Sequence, residues 1–220
     1  MVDKSECLYK YPNILHYLLG YPEINELISQ NFEKYTNFLQ ERIYIELLID
    51  ILFDDDEGTN QKIKDTGLLE VPASISHHGA YKGGLMEHSL NVTEALLRLT
   101  RNEGLKWSTN ESPLVIGLLH DLCKTDDYIK CSENEECPYK HGYKRNTKPK
   151  YKGHGSKSAQ MIQDLGVYLT NEEEACIRYH MGAFTNKEEW IDYTAAIHNY
   201  PNVLWTHHAD MIAAHIMEVE

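Results

Sequence analysis

The run "SPLVIGLLHDLCK", residues 112 to 124, has the apolar density of a helix buried on all sides, yet it closes on an imidazole and a carboxylate. Neither belongs on an apolar surface alone, because an unpaired buried carboxylate costs several kcal/mol and must find a cation, hydrogen bonds or a metal. Any fold for this chain must therefore bring partners to His120 and Asp121.

The same conflict recurs along the chain. In "GGLMEHSLNVTEALLRLT", His88 shares a helical face with Val92, Ala95 and Leu99. In "VLWTHHADMIAAHIME", Asp210 aligns with Ala213, Ala214 and Met217, and His180 lies one turn after Cys176 and Ile177. His154 differs, since "GHGSKSAQM" sets it in a glycine-flanked turn just before a helix. One inward histidine is ordinarily a satisfied core residue. Repetition on separate helices, with no inward basic residue to pair Asp121 or Asp210, points instead to a divalent metal. Four imidazoles and two carboxylates exceed the needs of one ion. Two ions bridged by a carboxylate, roughly 3.5 to 4 Å apart, would use them all.

Elsewhere the apolar spacing is helical nearly throughout, which predicts an all-α fold. "NFEKYTNFLQERIYIELLIDILF" should end at the acidic break "DDDEGTN", and "KDTGLLEVPASISHHGAYKGG" should be a loop. Ser112 and Pro113 read as N-cap and first turn of the His120 helix. Thr170 with Glu173 makes a capping box for "NEEEACIRYHMG", which Gly182 can close.

These residues resemble the HD-domain superfamily of metal-dependent phosphohydrolases. The resemblance runs over about Val71 to Glu220 and rests on the ordered words "GGLMEHSLNV", "LLHDLCK", "KGHGSKSAQM", "RYHMG" and "HHADMIAAHI". The flanking words are similar to the HD module of bacterial exoribonucleases of the YhaM type, and to stand-alone HD proteins of Gram-positive bacteria and phages. The resemblance implies an HD helical bundle over residues 71–220, with a short loop or hairpin inserted between the HD motif and the third histidine. Residues 1–70 would be a helical segment packed on it. It also implies that His88, His120, Asp121 and Asp210 hold one metal, that Asp121 bridges to a second held by His154 and His180, and that Lys124 neutralises phosphate charge. Cys123 stands where glycine is usual, the GYP word of the cyclic di-GMP phosphodiesterases is absent, and the exoribonucleases' preceding oligonucleotide-binding barrel has no counterpart in the helix-patterned first 70 residues.

The function expected is hydrolysis of a phosphate ester, a nucleotide or short oligonucleotide, by a metal-activated water. His77 and His78 are candidates to contact phosphate or protonate the leaving oxygen. Lys82, Arg178, Lys152 and Lys157 are candidate phosphate contacts, and His207 is favoured over His208 as a support behind the ligands. Iron, manganese, nickel and zinc all suit such ligands. Two other readings stay open: a mixed-valent di-iron oxygenase, which shares this ligand set, and a non-catalytic nucleotide sensor.

Charge narrows the partners. The formal net charge is -13, which argues against coating an extended nucleic acid duplex. Between Tyr139 and Gln163 there is no Asp or Glu, while Lys140, Lys144, Arg145, Lys148, Lys150, Lys152 and Lys157 are basic. That stretch is either a solvated loop or a phosphate-attracting lip. The start is polar and no apolar run approaches the roughly 18 residues of a membrane span, so a cytoplasmic protein is expected. Five cysteines without disulfide spacing are expected to be reduced. Cys123, Cys131, Cys137 and His141 have the spacing of a zinc finger. Incidental cysteines in a loop, which would act as a lid, are the favoured reading.

Overall fold

The computed structural model describes residues 10–22, 37–132, 136–184 and 187–218. Among these the chain is all-α apart from one two-stranded hairpin. The helices are α1 (Pro12–Leu18), α2 (Asn37–Phe53), α3 (Thr59–Asp65), α4 (Gly84–Glu103), α5 (Ser112–Leu119) and the single turn α6 (Lys124–Asp127). After the hairpin of β1 (Tyr128–Lys130) and β2 (Tyr143–Arg145) come α7 (Gly155–Asp164), α8 (Asn171–Tyr179), α9 (Trp190–Asn199) and α10 (Asn202–Ile212), which widens into a π turn at Ala213–Met217. No described helix is long and apolar enough to cross a membrane.

Helix α5 is apolar on every side and every residue of it is buried. It packs along α4, and Gly117 makes the approach possible: a Cβ there would lie 2.4 Å from Thr93 Oγ1. Helix α10 lies across α4 and α8, and α7 packs on α8. One buried cluster joins Ile14, Leu18, Ile45, Leu48 and Ile63 of the first three helices to Leu90, Leu96, Ile116 and Leu118. Each such side chain contributes about 1.5–3 kcal/mol by leaving water, which offsets the polar groups the same core encloses.

Buried carboxylates lock the helix ends. Glu94 of α4 accepts from the backbone N–H of Asn13 at 3.0 Å and of Ile14 at 3.0 Å, capping α1 from outside. Glu172 accepts from Ser108 N–H at 2.6 Å and Asn202 Nδ2 at 2.8 Å, tying α8 to the loop before α5 and to α10. The Thr170 and Glu173 capping box is formed. Ser112 is not a cap: it is the first residue of α5, Glu111 occupies the N-cap, and the Ser112 hydroxyl donates to Glu173 at 2.7 Å. The segment 31–36 of the first expected helix, and Cys7, lie outside the described residues.

The hairpin stands where an insertion is expected, with Tyr128 opposite Arg145 and Lys130 opposite Tyr143. The expectation of reduced thiols is corrected here, because Cys131 and Cys137 stand at a Cα separation of 5.7 Å with their sulfurs bonded to each other. The zinc-finger spacing is therefore not a zinc site in this fold. Cys123 is buried beside His154 instead, and His141 Nε2 meets the Ile75 carbonyl at 3.1 Å.

Candidate metal centre

Five helix ends or faces converge on Asp121. It sits in the turn just after α5, and its two oxygens look opposite ways. Oδ1 lies 2.8 Å from His154 Nε2 and 3.5 Å from His180 Nε2. Oδ2 lies 3.9 Å from His88 Nε2, 3.8 Å from His120 Nε2 and 3.7 Å from Lys124 Nζ. Asp210, from α10, reaches His88 Nε2 at 3.1 Å, and the His88 and His120 Nε2 atoms are 3.3 Å apart.

The rings are aimed from behind. His120 Nδ1 donates to the Gly117 carbonyl at 3.0 Å and His180 Nδ1 to the Ile177 carbonyl at 2.7 Å. With the proton on Nδ1, each Nε2 presents a lone pair inward. His180 Nε2 is buried with no hydrogen-bond partner, an orphan that a cation would satisfy. His154 reaches the cluster because α7 starts against the end of α8: a Cβ on Gly155 would fall 2.2 Å from the Arg178 carbonyl. The Nδ1 of His154 lies 3.3 Å from Cys123 Sγ.

Electrostatics agree with ionised carboxylates, whereas the imidazoles divide: the neighbouring carboxylates raise His88 and His180, and His120 is lowered. Burial pushes His120 down to about 4. Burial also opposes ionising Asp121, but the charges of Lys124, His154 and His120 outweigh it and hold its pKa well below the usual range. Asp210 is lowered for the same kind of reason, with His88 outweighing desolvation. Burial disfavours charge on His88, yet hydrogen bonds to Asp210 and Glu218 raise it to about 10. In the metal-free chain this ring takes a proton between two carboxylates, a proton that metal binding would release. Lys124 stays charged because Asp121 overrides its desolvation.

These donor sets fit metals, and groups within reach of a common ion include His88, His120 and Asp121; His120, His180 and Asp210; and Asp121, Cys123 and His154. A cavity of about 260 Å³ opens over the cluster, with Asp121, Lys124, His154 and Asp210 on its floor and His78, Phe184 and His207 among its walls.

The remaining sequence candidates divide. His78 is half-buried, its ring 5.3 Å from that of His88, whereas His77 is exposed and lines only the adjoining cleft. His207 Nδ1 donates to the His180 carbonyl at 2.8 Å and so braces that residue's backbone, while His208 is exposed. Lys157 does not line the cavity. Its ammonium is fully buried and holds Asp126 at 2.8 Å and Asp127 at 2.5 Å, so it is a structural cation between α7 and α6. Lys82 pairs with Glu70 at 2.7 Å and Arg178 with Glu174 at 2.5 Å, away from the cavity lining, and Lys152 is exposed two residues before His154. Glu218 is the residue that helical spacing missed. It accepts from His88 Nδ1 at 2.9 Å and from Asn91 Nδ2 at 3.0 Å.

No family model matches the chain, and no solved structure matches it significantly. A stretch is 38% identical over 79 residues to the dihydroneopterin 2',3'-cyclic phosphate phosphodiesterase of Methanocaldococcus jannaschii, covering 34% of this chain and 32% of that relative. The chain thus aligns with about a third of a protein named for cleaving a cyclic phosphodiester.

Proposed function

We propose that this protein is an HD-type metal-dependent phosphohydrolase, with residues 71–220 as the hydrolase domain, acting on a small nucleotide-like phosphodiester. The observation that carries the reading is the splitting of Asp121, one oxygen toward His154 and His180 and the other toward His88 and His120. That arrangement suits a carboxylate bridging two ions. His88, His120, Asp121 and Asp210 would hold one, and His154, His180 and Asp121 the other. When bound, two divalent metals supply Lewis acidity toward phosphate oxygens and lower the pKa of water.

The chain's own residues supply the rest. Lys124, kept charged beside Asp121, draws the phosphate to the floor of the cavity and offsets charge developing on its oxygens. Asp210, 17% exposed, and His154, 30% exposed, form the open edge, whereas His88, His120 and His180 are closed off from water. His78 on the cavity wall is the side chain best set to hydrogen-bond a leaving oxygen. A cavity of about 260 Å³ suits a small phosphodiester group and not a duplex. The relative named for a cyclic phosphodiester supports the diester over the monoester.

The test is hydrolysis of bis(p-nitrophenyl) phosphate and of nucleoside cyclic phosphates without oxygen, by chain loaded in turn with manganese, iron, nickel or zinc. Metal-dependent, chelator-sensitive diester cleavage is expected. Oxygen consumption with phosphate esters left intact would transfer the site to the di-iron oxygenases. Ligand binding without turnover would make it a sensor.

A further inference from the structure

We propose that Glu218 is a positioning residue, which fixes His88 from behind and makes the His88 half of the centre the tighter of two metal positions. The inference rests on the binuclear reading above.

The geometry begins with the helix. Asp210 and Glu218 are eight residues apart, and in a regular α-helix that separation leaves them about 80° out of line. The π turn at Ala213–Met217, closed by Glu218 N–H to the Ala213 carbonyl at 3.1 Å, adds a residue to the turn and rotates Glu218 back toward the face of Asp210. The two carboxylates then grip one imidazole from both sides. Asp210 Oδ1 is 3.1 Å from His88 Nε2, and Glu218 Oε1 is 2.9 Å from His88 Nδ1. The Glu218 side chain is 5% exposed, and Asn91 donates to the same oxygen, which fixes its direction.

A carboxylate behind a ligating imidazole makes that ligand more basic and holds its orientation, and losing it typically costs 10–100-fold in metal affinity. The opposite half lacks this. His180 has only a backbone carbonyl behind it, and His154 has the Cys123 thiol, a weak partner. The His154 side chain is also 30% exposed, against 1% for His88. A carboxylate behind the buried His88 on one side, against a thiol behind the more exposed His154 on the other, implies one retained and one exchangeable ion.

The experiment is a titration of apo-protein with zinc against a competing chelator, comparing wild type with Glu218→Gln and Glu218→Ala. Gln keeps the volume and an acceptor for His88 Nδ1, which protects the fold. Wild type should fill in two resolved steps. Glu218→Gln should weaken the tighter step about tenfold and Glu218→Ala up to about 100-fold, leaving the weaker step within twofold. Equal weakening of both steps, or no change in Glu218→Ala, would overturn the proposal. So would loss of one whole ion at saturation, because Glu218 would then be a ligand itself. A wild-type chain that takes up no zinc overturns this inference and the binuclear reading together. A single ion whose affinity follows Glu218 removes only the binuclear reading and leaves the positioning role standing.

Discussion

Two polar regions interrupt this chain, the histidine and aspartate cluster around Asp121 and the basic stretch from Tyr139 to Gln163, and the fold treats them in opposite ways. In the cluster every imidazole is aimed: His88, His120, His154 and His180 each have one nitrogen turned to the centre and the other engaged behind it. In the basic stretch Lys157 and Lys150 are satisfied locally. Lys157 is buried on Asp126 and Asp127, and Lys150 lies over the Tyr151 ring and within 3.8 Å of Asp164. Composition marks both regions as unusual. Only the helical register of the first, with polar groups at core positions on separate helices, signals chemistry.

The largest effect expected from breaking this contrast is at its centre. Asp121→Ala should abolish diester hydrolysis while circular dichroism shows the helices retained; residual turnover above the metal-only background would remove Asp121 from the mechanism. Next comes Lys124→Ala, which takes the cation off the cavity floor. Steady-state kinetics should show a loss of about 100-fold or more, the scale for removing one group that stabilises transition-state charge. An unchanged kcat/KM would reassign Lys124 to holding Asp121 in place.

Lys157→Met sharpens the comparison from the other side. It leaves two carboxylates without their buried cation and should cost about 3 kcal/mol in urea unfolding, with zinc affinity unchanged. A fall in activity larger than the fall in folded fraction would return Lys157 to the substrate site. The smallest effect is expected from converting Lys148, Lys150 and Lys152 together to Gln. Exposed charges are screened within about 8 Å at physiological salt, so KM should change by no more than about threefold, and less as salt is added. A larger, salt-sensitive rise would make the stretch a true phosphate lip.

How far the sequence reached follows from the same physics. His88, His120, Asp121, His180 and Asp210 were legible because α-helical spacing fixes which residues share a face with core apolar side chains. The structure brings all five together with His154. Glu218 was not legible, since the π turn breaks the spacing that would have linked it to Asp210. Lys157 reads as a phosphate contact because it belongs to a basic run, and only the packing of α7 against α6 reveals its two aspartates. Ser112 misled in the same way: its hydroxyl is taken by Glu173 across the α5–α8 contact, a long-range bond that no local pattern encodes. The Cys131 and Cys137 bridge depends on a close approach that spacing alone leaves open.

The central claim is that the inward histidines and aspartates are ligands, and it is tested most directly by elemental analysis of metal per chain. Protein purified without chelator and without oxygen, then reconstituted and desalted, should carry about two transition-metal ions per chain, and Asp121→Ala prepared in parallel should carry close to none. A wild type with no bound metal after reconstitution, or an Asp121→Ala chain that keeps both ions, would contradict the account.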